Sequence, residues 1–225
     1  MYIRRKEKTV MKITKKILCL LLALTICFSA APMAFAGNAK AKDDEIVAAF
    51  YVYVMETDIH PVGHMWVYLE NLTDEPMQVG LYTVPPHEGA SVGVFCRKDG
   101  LGIYYNVEAY TYGVYGMKNQ MCLRDWLTAD KVKDVSDTLI NYFNHWDPIF
   151  NCMYFAFRVW NSGCSAKNKL IHLVWPPLGT RQIKNKPFIF EQPMKSVPQN
   201  KAFRQVGSGK NAYLKPATLK SLGRI

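Results

Sequence analysis

Along this chain, apolar residues recur first at every second position and later at every third or fourth. Residues 46–55, IVAAFYVYVM, are mostly β-branched or aromatic, the composition of a strand buried on both faces. In GHMWVYLENLT, residues 63–73, His64, Trp66 and Tyr68 share one parity while Met65, Val67 and Leu69 take the other. Asp74-Glu75-Pro76 then reads as a turn, and MQVGLYTV (77–84) as the return strand of a hairpin. After the break Pro85-Pro86-His87-Glu88-Gly89, ASVGVFC (90–96) reads as a fourth strand and GIYYNVEAYTY (102–112) as a fifth. The half from Ile46 to Tyr112 is therefore expected to be an antiparallel meander.

The period then changes. Thr128 can cap a helix in which Val132, Val135, Leu139, Ile140, Phe143 and Trp146 fall three and four apart, with Lys131, Lys133, Asp134 and Asp137 on the other side. Asp147-Pro148 is expected to end it. A second helical face follows in Met153, Phe155, Ala156, Val159 and Trp160, stopping near Asn161-Ser162-Gly163, where Gly163 suits a left-handed terminating position. Residues 176–216 are rich in Pro, Lys, Asn and Gln and read as an irregular basic tail, with a short helix expected from Ala217 to Leu222. A sheet followed by helices packed on one side makes an α+β domain over 46–175, with 176–225 as its tail.

The first 36 residues stand apart. Arg4, Arg5, Lys6, Lys8, Lys12, Lys15 and Lys16 precede the apolar run from Ile17 to Phe28, and small residues end at Ala34-Phe35-Ala36. This is the pattern of a secretory signal peptide cleaved after Ala36, and its apolar core is too short to span a bilayer well. Met11 would give a more usual signal length. Cys27 follows the bulky Ile26, which argues against a lipoprotein anchor. Residues 37–45 form a polar leader expected to be mobile. Removing residues 1–36 takes away seven basic residues and Glu7, leaving 21 Lys and Arg against 17 Asp and Glu, a balance of +4. So mild an excess does not call for nucleic acid. The expected product is a secreted domain, compatible with work at the cell envelope, with no stable membrane insertion after cleavage.

Four cysteines remain, Cys96, Cys122, Cys152 and Cys164. An even number in an exported chain permits disulfides, and Cys96 with Cys122 is the favoured bridge. No CxxC or Cys/His group has zinc spacing, so neither metal nor cofactor is expected. Cys152 is placed differently from the rest. It follows Asn151, a capping residue, and so opens a helix, where unpaired N–H groups and the helix dipole favour a thiolate. A nucleophilic cysteine also needs a base and donors for a developing oxyanion, and backbone N–H groups at the helix mouth can supply part of the latter. His64, opening a strand after Gly63, is the preferred base, with His60, His87, His145 and His172 as rivals. Of the strand aromatics, Trp66, Tyr68, Tyr104, Tyr105, Tyr110 and Tyr112 could line a groove, but most are read as core.

GHMWVYLEN, GIYYNVEAY and NCMYFAFRVWN, in this order and spacing, resemble the circularly permuted papain-like cysteine hydrolases. These include bacterial envelope amidases and peptidases and the lecithin-retinol-acyltransferase type of acyl transferase; the likeness is greatest to a group of exported bacterial proteins. It spans roughly Phe50 to Ser162, with an echo in PATLKSL near the C-terminus. The resemblance implies Cys152 as nucleophile, His64 as base, and a third polar residue holding the imidazole from a neighbouring strand. Glu70 shares a face with His64, but six residues along a strand is about 20 Å. Glu108 is preferred for that role, with Asn106, Thr83 and His87 as alternatives, and Asn151 is taken as cap rather than catalyst. The implied substrate is an amide or ester, with peptidoglycan peptides as a natural class. Since a fold does not dictate activity, a non-catalytic binding module on the same scaffold is the competing expectation, in which Cys152 could be bridged to Cys164.

Overall fold

The strand at Ile46–Met55 (β1) is apolar throughout because it is covered on both sides of the sheet. Ala48, Phe50, Val52 and Val54 join one buried cluster, while Ala49, Tyr51, Tyr53 and Met55 join another. The structure, a computed structural model, describes residues 45–55, 63–97, 100–116, 119–143, 147–172 and 176–217, all within one compact unit. The expected signal peptide and leader, Met11, Cys27, His60, His145 and most of PATLKSL lie outside the described residues.

β1 pairs antiparallel with β2 (His64–Asn71) on one side and β7 (Gln120–Thr128) on the other. β5 (Gly89–Arg97) lies against β2, and β6 (Gly100–Tyr105) forms a hairpin with β5. Two C-terminal strands, β9 (Phe203–Val206) and β10 (Tyr213–Pro216), extend the β6 edge, and β8 (Ile189–Phe190) extends the β7 edge. The described residues thus form an eight-stranded antiparallel sheet in the order β10-β9-β6-β5-β2-β1-β7-β8. With its helices it is an α+β fold.

The helices are α1 (Val107–Tyr115), α2 (Ala129–Ile140), α3 (Cys152–Gly163) and α4 (Pro176–Lys184). Val132, Val135 and Leu139 of α2 and Met153, Phe155 and Trp160 of α3 pack on the first face of the sheet. α1 does not join them, which corrects the expectation of helices on one side only. Val107 clusters with Tyr104, and Tyr112 packs against the aromatic cluster of the second face. That second face holds Trp66 and Tyr68, and a strap of residues 189–197 crosses it. Tyr53 Oη donates to the Gln192 carbonyl at 3.2 Å, Trp66 Nε1 to Met194 Sδ at 3.3 Å, and the Lys195 N–H to Tyr68 Oη at 3.1 Å.

Several expectations need correcting. Met77–Val79 (β3) and Tyr82–Val84 (β4) pair only with each other, and β2 takes β5 as its partner instead of the 77–84 segment. The expected strand 102–112 breaks at Asn106, whose φ of 65° is left-handed; Asn tolerates that region, and the chain turns into α1. β7 was not foreseen. The helix after Thr128 stops at Ile140, and Tyr142 packs edge-on against Phe155 at 5.0 Å from outside it.

Gly163 is the last residue of α3 and has no left-handed φ. Its lack of a side chain serves packing: a Cβ there would come within 2.6 Å of Val135 Cγ2 and 3.4 Å of Phe50. The segment 176–217 is not irregular. Its Gln205 is fully buried, accepting from Tyr105 Oη at 3.0 Å and donating to the Leu139 carbonyl at 3.2 Å. Among the described residues no helix is long and apolar enough to cross a membrane.

Candidate active site

The site lies where the sheet ends. Met55 stands opposite both His64 and Gln120, and these are the final pairs of β1 with β2 and β7. His64 has the parity of Trp66 and Tyr68, so its ring belongs to the aromatic face, whereas α3 packs on the other face. Because His64 is the first residue of β2, the mouth of α3 can meet it around the end of the sheet. The Met65 backbone, one residue further, donates its N–H to the Cys152 sulfur.

Asn151 sets the helix mouth. Its Oδ1 accepts from the N–H groups of Met153 at 3.0 Å and Tyr154 at 3.2 Å, and its Nδ2 donates to the Pro148 carbonyl at 3.0 Å. It is a capping residue, with its side-chain oxygen turned into the first turn of the helix. Cys152 is half-buried, and its thiol and the His64 ring hydrogen-bond one another. The other side of the ring is held by Glu108, whose Oε1 lies 3.1 Å from Nε2. With Nε2 so engaged, Nδ1 is the nitrogen left for the thiol.

Burial alone would keep Cys152 protonated. The hydrogen bond and charge of His64, together with N–H groups from Met65 and Met153, outweigh it and hold the thiol below its usual range. For His64, burial opposes the charged form, but the bonds to Cys152 and Glu108 prevail and raise it from 6.5 to about 9. The two shifts run in the same sense, toward an ionised thiol and a charged imidazole held together. Two rings flank the imidazole, Trp66 at 5.5 Å and nearly parallel, Phe95 at 4.7 Å. A cation between aromatic faces is further favoured by their quadrupoles.

Glu108 comes to the site from the first turn of α1, whereas the family resemblance implied a neighbouring strand. It is fully buried, and a buried carboxylate needs charge and donors around it. His64 supplies one, and Ser91 Oγ donates to Oε2 at 3.0 Å. Space for it comes from Gly93 of β5, directly across from Trp66: a Cβ there would overlap Oε1. Neither Ser91 nor Gly93 was singled out in the sequence, although a glycine inside a strand signals a close approach.

The other candidates are occupied elsewhere. Asn106 is a structural clamp: its N–H donates to the Ser91 carbonyl at 2.7 Å, its Oδ1 accepts from the Ser91 N–H at 3.2 Å, and its Nδ2 reaches the Lys201 carbonyl at 3.0 Å. Thr83 bonds Gln78 at 2.9 Å, and His87 pairs with Asp74 at 2.7 Å on the surface. The His172 ring lies tilted beside Tyr154, with centroids 5.2 Å apart. Glu70 pairs with Lys195 at 2.8 Å.

Cys122, Cys152 and Cys164 are free thiols, so the favoured Cys96–Cys122 bridge is not formed and Cys152 is not bridged to Cys164. Burial pushes Cys122 and Cys164 up to about 12, which makes them poor nucleophiles. Trp66, Tyr68, Tyr104 and Tyr105 are core residues, each at most 2% exposed. Among the described residues no group of three or more His, Cys, Asp or Glu could hold a metal ion.

What the fold and site define is an α+β domain presenting a cysteine, a histidine and a buried glutamate in one chain of contacts. Comparison with family models, curated proteins and solved structures returns no match.

Proposed function

We propose that this protein is an exported thiol hydrolase of the permuted papain-like kind, cleaving amide or ester bonds through an acyl-enzyme. One observation carries the reading: a single imidazole joins a thiol at a helix mouth to a buried carboxylate. A structural cysteine has no need of that arrangement, and the other two described thiols lack it.

In this reading the Cys152 thiolate attacks the carbonyl carbon. A C–S bond forms, the carbonyl oxygen becomes an oxyanion, and the Cys152 backbone N–H in the first turn of α3 is its assigned donor. The C–N or C–O bond then breaks as the His64 imidazolium gives its proton to the leaving amine or alcohol. Water next attacks the thioester, passing a proton to His64, and the C–S bond breaks to restore the thiolate and release the acid. Glu108 keeps the ring oriented and stabilises its charge throughout.

The order histidine before cysteine, and the N-terminal basic and apolar segment, support the permuted arrangement and export. Peptidoglycan peptides are the proposed natural substrate class. The test uses purified envelope peptides and simple nitrophenyl esters, alongside iodoacetamide at neutral pH. Wild type should hydrolyse a member of these classes and be alkylated at Cys152; Cys152→Ala should do neither. Equal alkylation of the two proteins would overturn the proposal in favour of a binding module.

A further inference from the structure

Glu108 cannot hold His64 unless something holds Glu108. The carboxylate is fully buried and its Oε1 is committed to the imidazole, so the orientation of its plane depends on Oε2. Oε2 lies 3.0 Å from Ser91 Oγ. That hydroxyl is also fully buried and accepts a hydrogen bond from the Ala109 N–H at 3.1 Å. The amide fills an acceptor position on Oγ, so the serine's single proton points to Glu108.

The geometry fixes the serine equally well. Its N–H donates to Asn106 Oδ1 at 3.2 Å, and its carbonyl accepts from the Asn106 N–H at 2.7 Å. Asn106 is the left-handed residue that starts α1, and Ala109 follows Glu108 on that helix. Ser91 thus grips the first turn of α1 at three points, one of them the carboxylate itself. Two positions along the same strand and on the same face, Gly93 leaves the gap through which Oε1 meets the imidazole.

We infer that Ser91 is a positioning residue of the Cys152–His64–Glu108 constellation, holding the Glu108 carboxylate in plane for His64. The contacts form a relay of four residues on four elements, α3, β2, α1 and β5. The titratable groups that face His64 are Cys152 from α3 and Glu108 from α1. Without the hydroxyl, Oε2 keeps its burial and loses its donor, so the buried carboxylate turns to seek another and its Oε1 is no longer held toward the imidazole. The imidazolium then loosens, and with it the thiolate.

This inference rests on the thiol-hydrolase reading of the site, but its test does not need the substrate. The rate of Cys152 alkylation by iodoacetamide is followed from pH 4 to 10, with Cys152→Ala supplying the background. In wild type, alkylation should persist well below the ordinary thiol range; if it does not, the ion-pair reading itself fails. In Ser91→Ala the midpoint should rise by about one pH unit, so that the rate on the acid limb, well below both midpoints, falls about tenfold. In a Glu108→Gln background, the same serine change should move the midpoint no further, because the serine acts through the carboxylate.

A wild-type midpoint in Ser91→Ala overturns the inference while leaving the function standing, as does a shift that persists with Glu108→Gln. Ser91→Thr, which keeps the hydroxyl on a side chain suited to strands, serves if the alanine variant does not fold. Its midpoint should match wild type, and a displaced one counts against the assignment.

Discussion

Gly93 of β5 and Glu108 of α1 share one small volume: the glycine has no side chain, and the carboxylate oxygen that holds His64 occupies the space where a Cβ would stand. The arrangement predicts an uncoupling of stability from function. In Gly93→Ala the obstructing atom is the far end of a flexible side chain, so Glu108 can swing away at modest cost, about 1–3 kcal/mol. The imidazole then loses its partner. Alkylation of Cys152 on the acid limb of its pH profile should drop by about an order of magnitude, while circular dichroism shows a folded protein. An alanine variant with wild-type reactivity would mean that Glu108 does not govern His64.

The pH response follows from the directions of the two shifts. Cys152 is held below its usual range, so alkylation should persist below the ordinary thiol range and fall as pH drops through the depressed value. His64 is raised to about 9, so hydrolysis, which needs its proton for the leaving group, should decline as pH rises through about that value. Stability behaves differently. Charging of His64 stabilises the fold fully below about 6.5 and is lost as pH rises through about 9. Thiolate formation stabilises it above about 9 and is lost as pH falls through the depressed value. Between 6.5 and 9 the two slopes oppose each other, since the proton gained by one group is the proton given up by the other. Where both groups titrate, thermal melts should show the two contributions offsetting one another, and the rate profile should be bell-shaped, with its acid limb at the depressed thiol value and its alkaline limb at about 9.

Asn151 separates a capping role from a catalytic one. Replacing it with alanine leaves the Met153 and Tyr154 N–H groups without their side-chain acceptor, a loss of about 1 kcal/mol. For a chain of this size that is a drop of about 2–4 °C in thermal midpoint. The pH midpoint of Cys152 alkylation should move little, because His64, the strongest of the groups that lower it, and the Met65 N–H are untouched. The Met153 N–H, which also lowers it, loses only its competing acceptor. A displaced midpoint would make Asn151 part of the chemistry.

What could be read from residues alone divides along physical lines. β2 and α3 declare themselves because their patterns match one period only, and β1 because its short apolar run is β-branched and aromatic. Cys152 was visible because a capping residue precedes it at the start of such a helix, and His64 because it opens a strand. Glu108 was placed correctly near the ring but on the wrong kind of element. Val107, Tyr110 and Tyr112 favour strands, and the left-handed turn at Asn106 is a backbone event that composition announces only faintly. β8, β9 and β10 were missed since segments of two to four residues such as FRQV are too short to show a period. Ser91 was missed for another reason: its role depends on α1 folding back over β5, a contact between segments that local pattern does not encode.

The C-terminal segment gives the remaining prediction. A tail at 176–225 would be dispensable; in the fold its residues 189–216 close both edges of the sheet and cover its aromatic face. Removing them would strip the Gln205 acceptor from Tyr105 Oη, the Gln205 donor from the Leu139 carbonyl, and the Met194 sulfur from the Trp66 indole. Each buried polar group left unpaired costs about 1–3 kcal/mol, so the three together approach the roughly 5–15 kcal/mol that separates a typical domain from its unfolded chain. Exposing the faces of Tyr53 and Trp66 adds an apolar penalty in the same direction. Trp66 also stacks on His64, so the loss would reach the site before the fold failed completely. The shortened protein should therefore bind a hydrophobic dye, lose its near-ultraviolet dichroism and melt without a cooperative transition. Retention of a sharp thermal transition and of Cys152 alkylation in mild acid would show that the sheet from β1 to β7 stands without its strap.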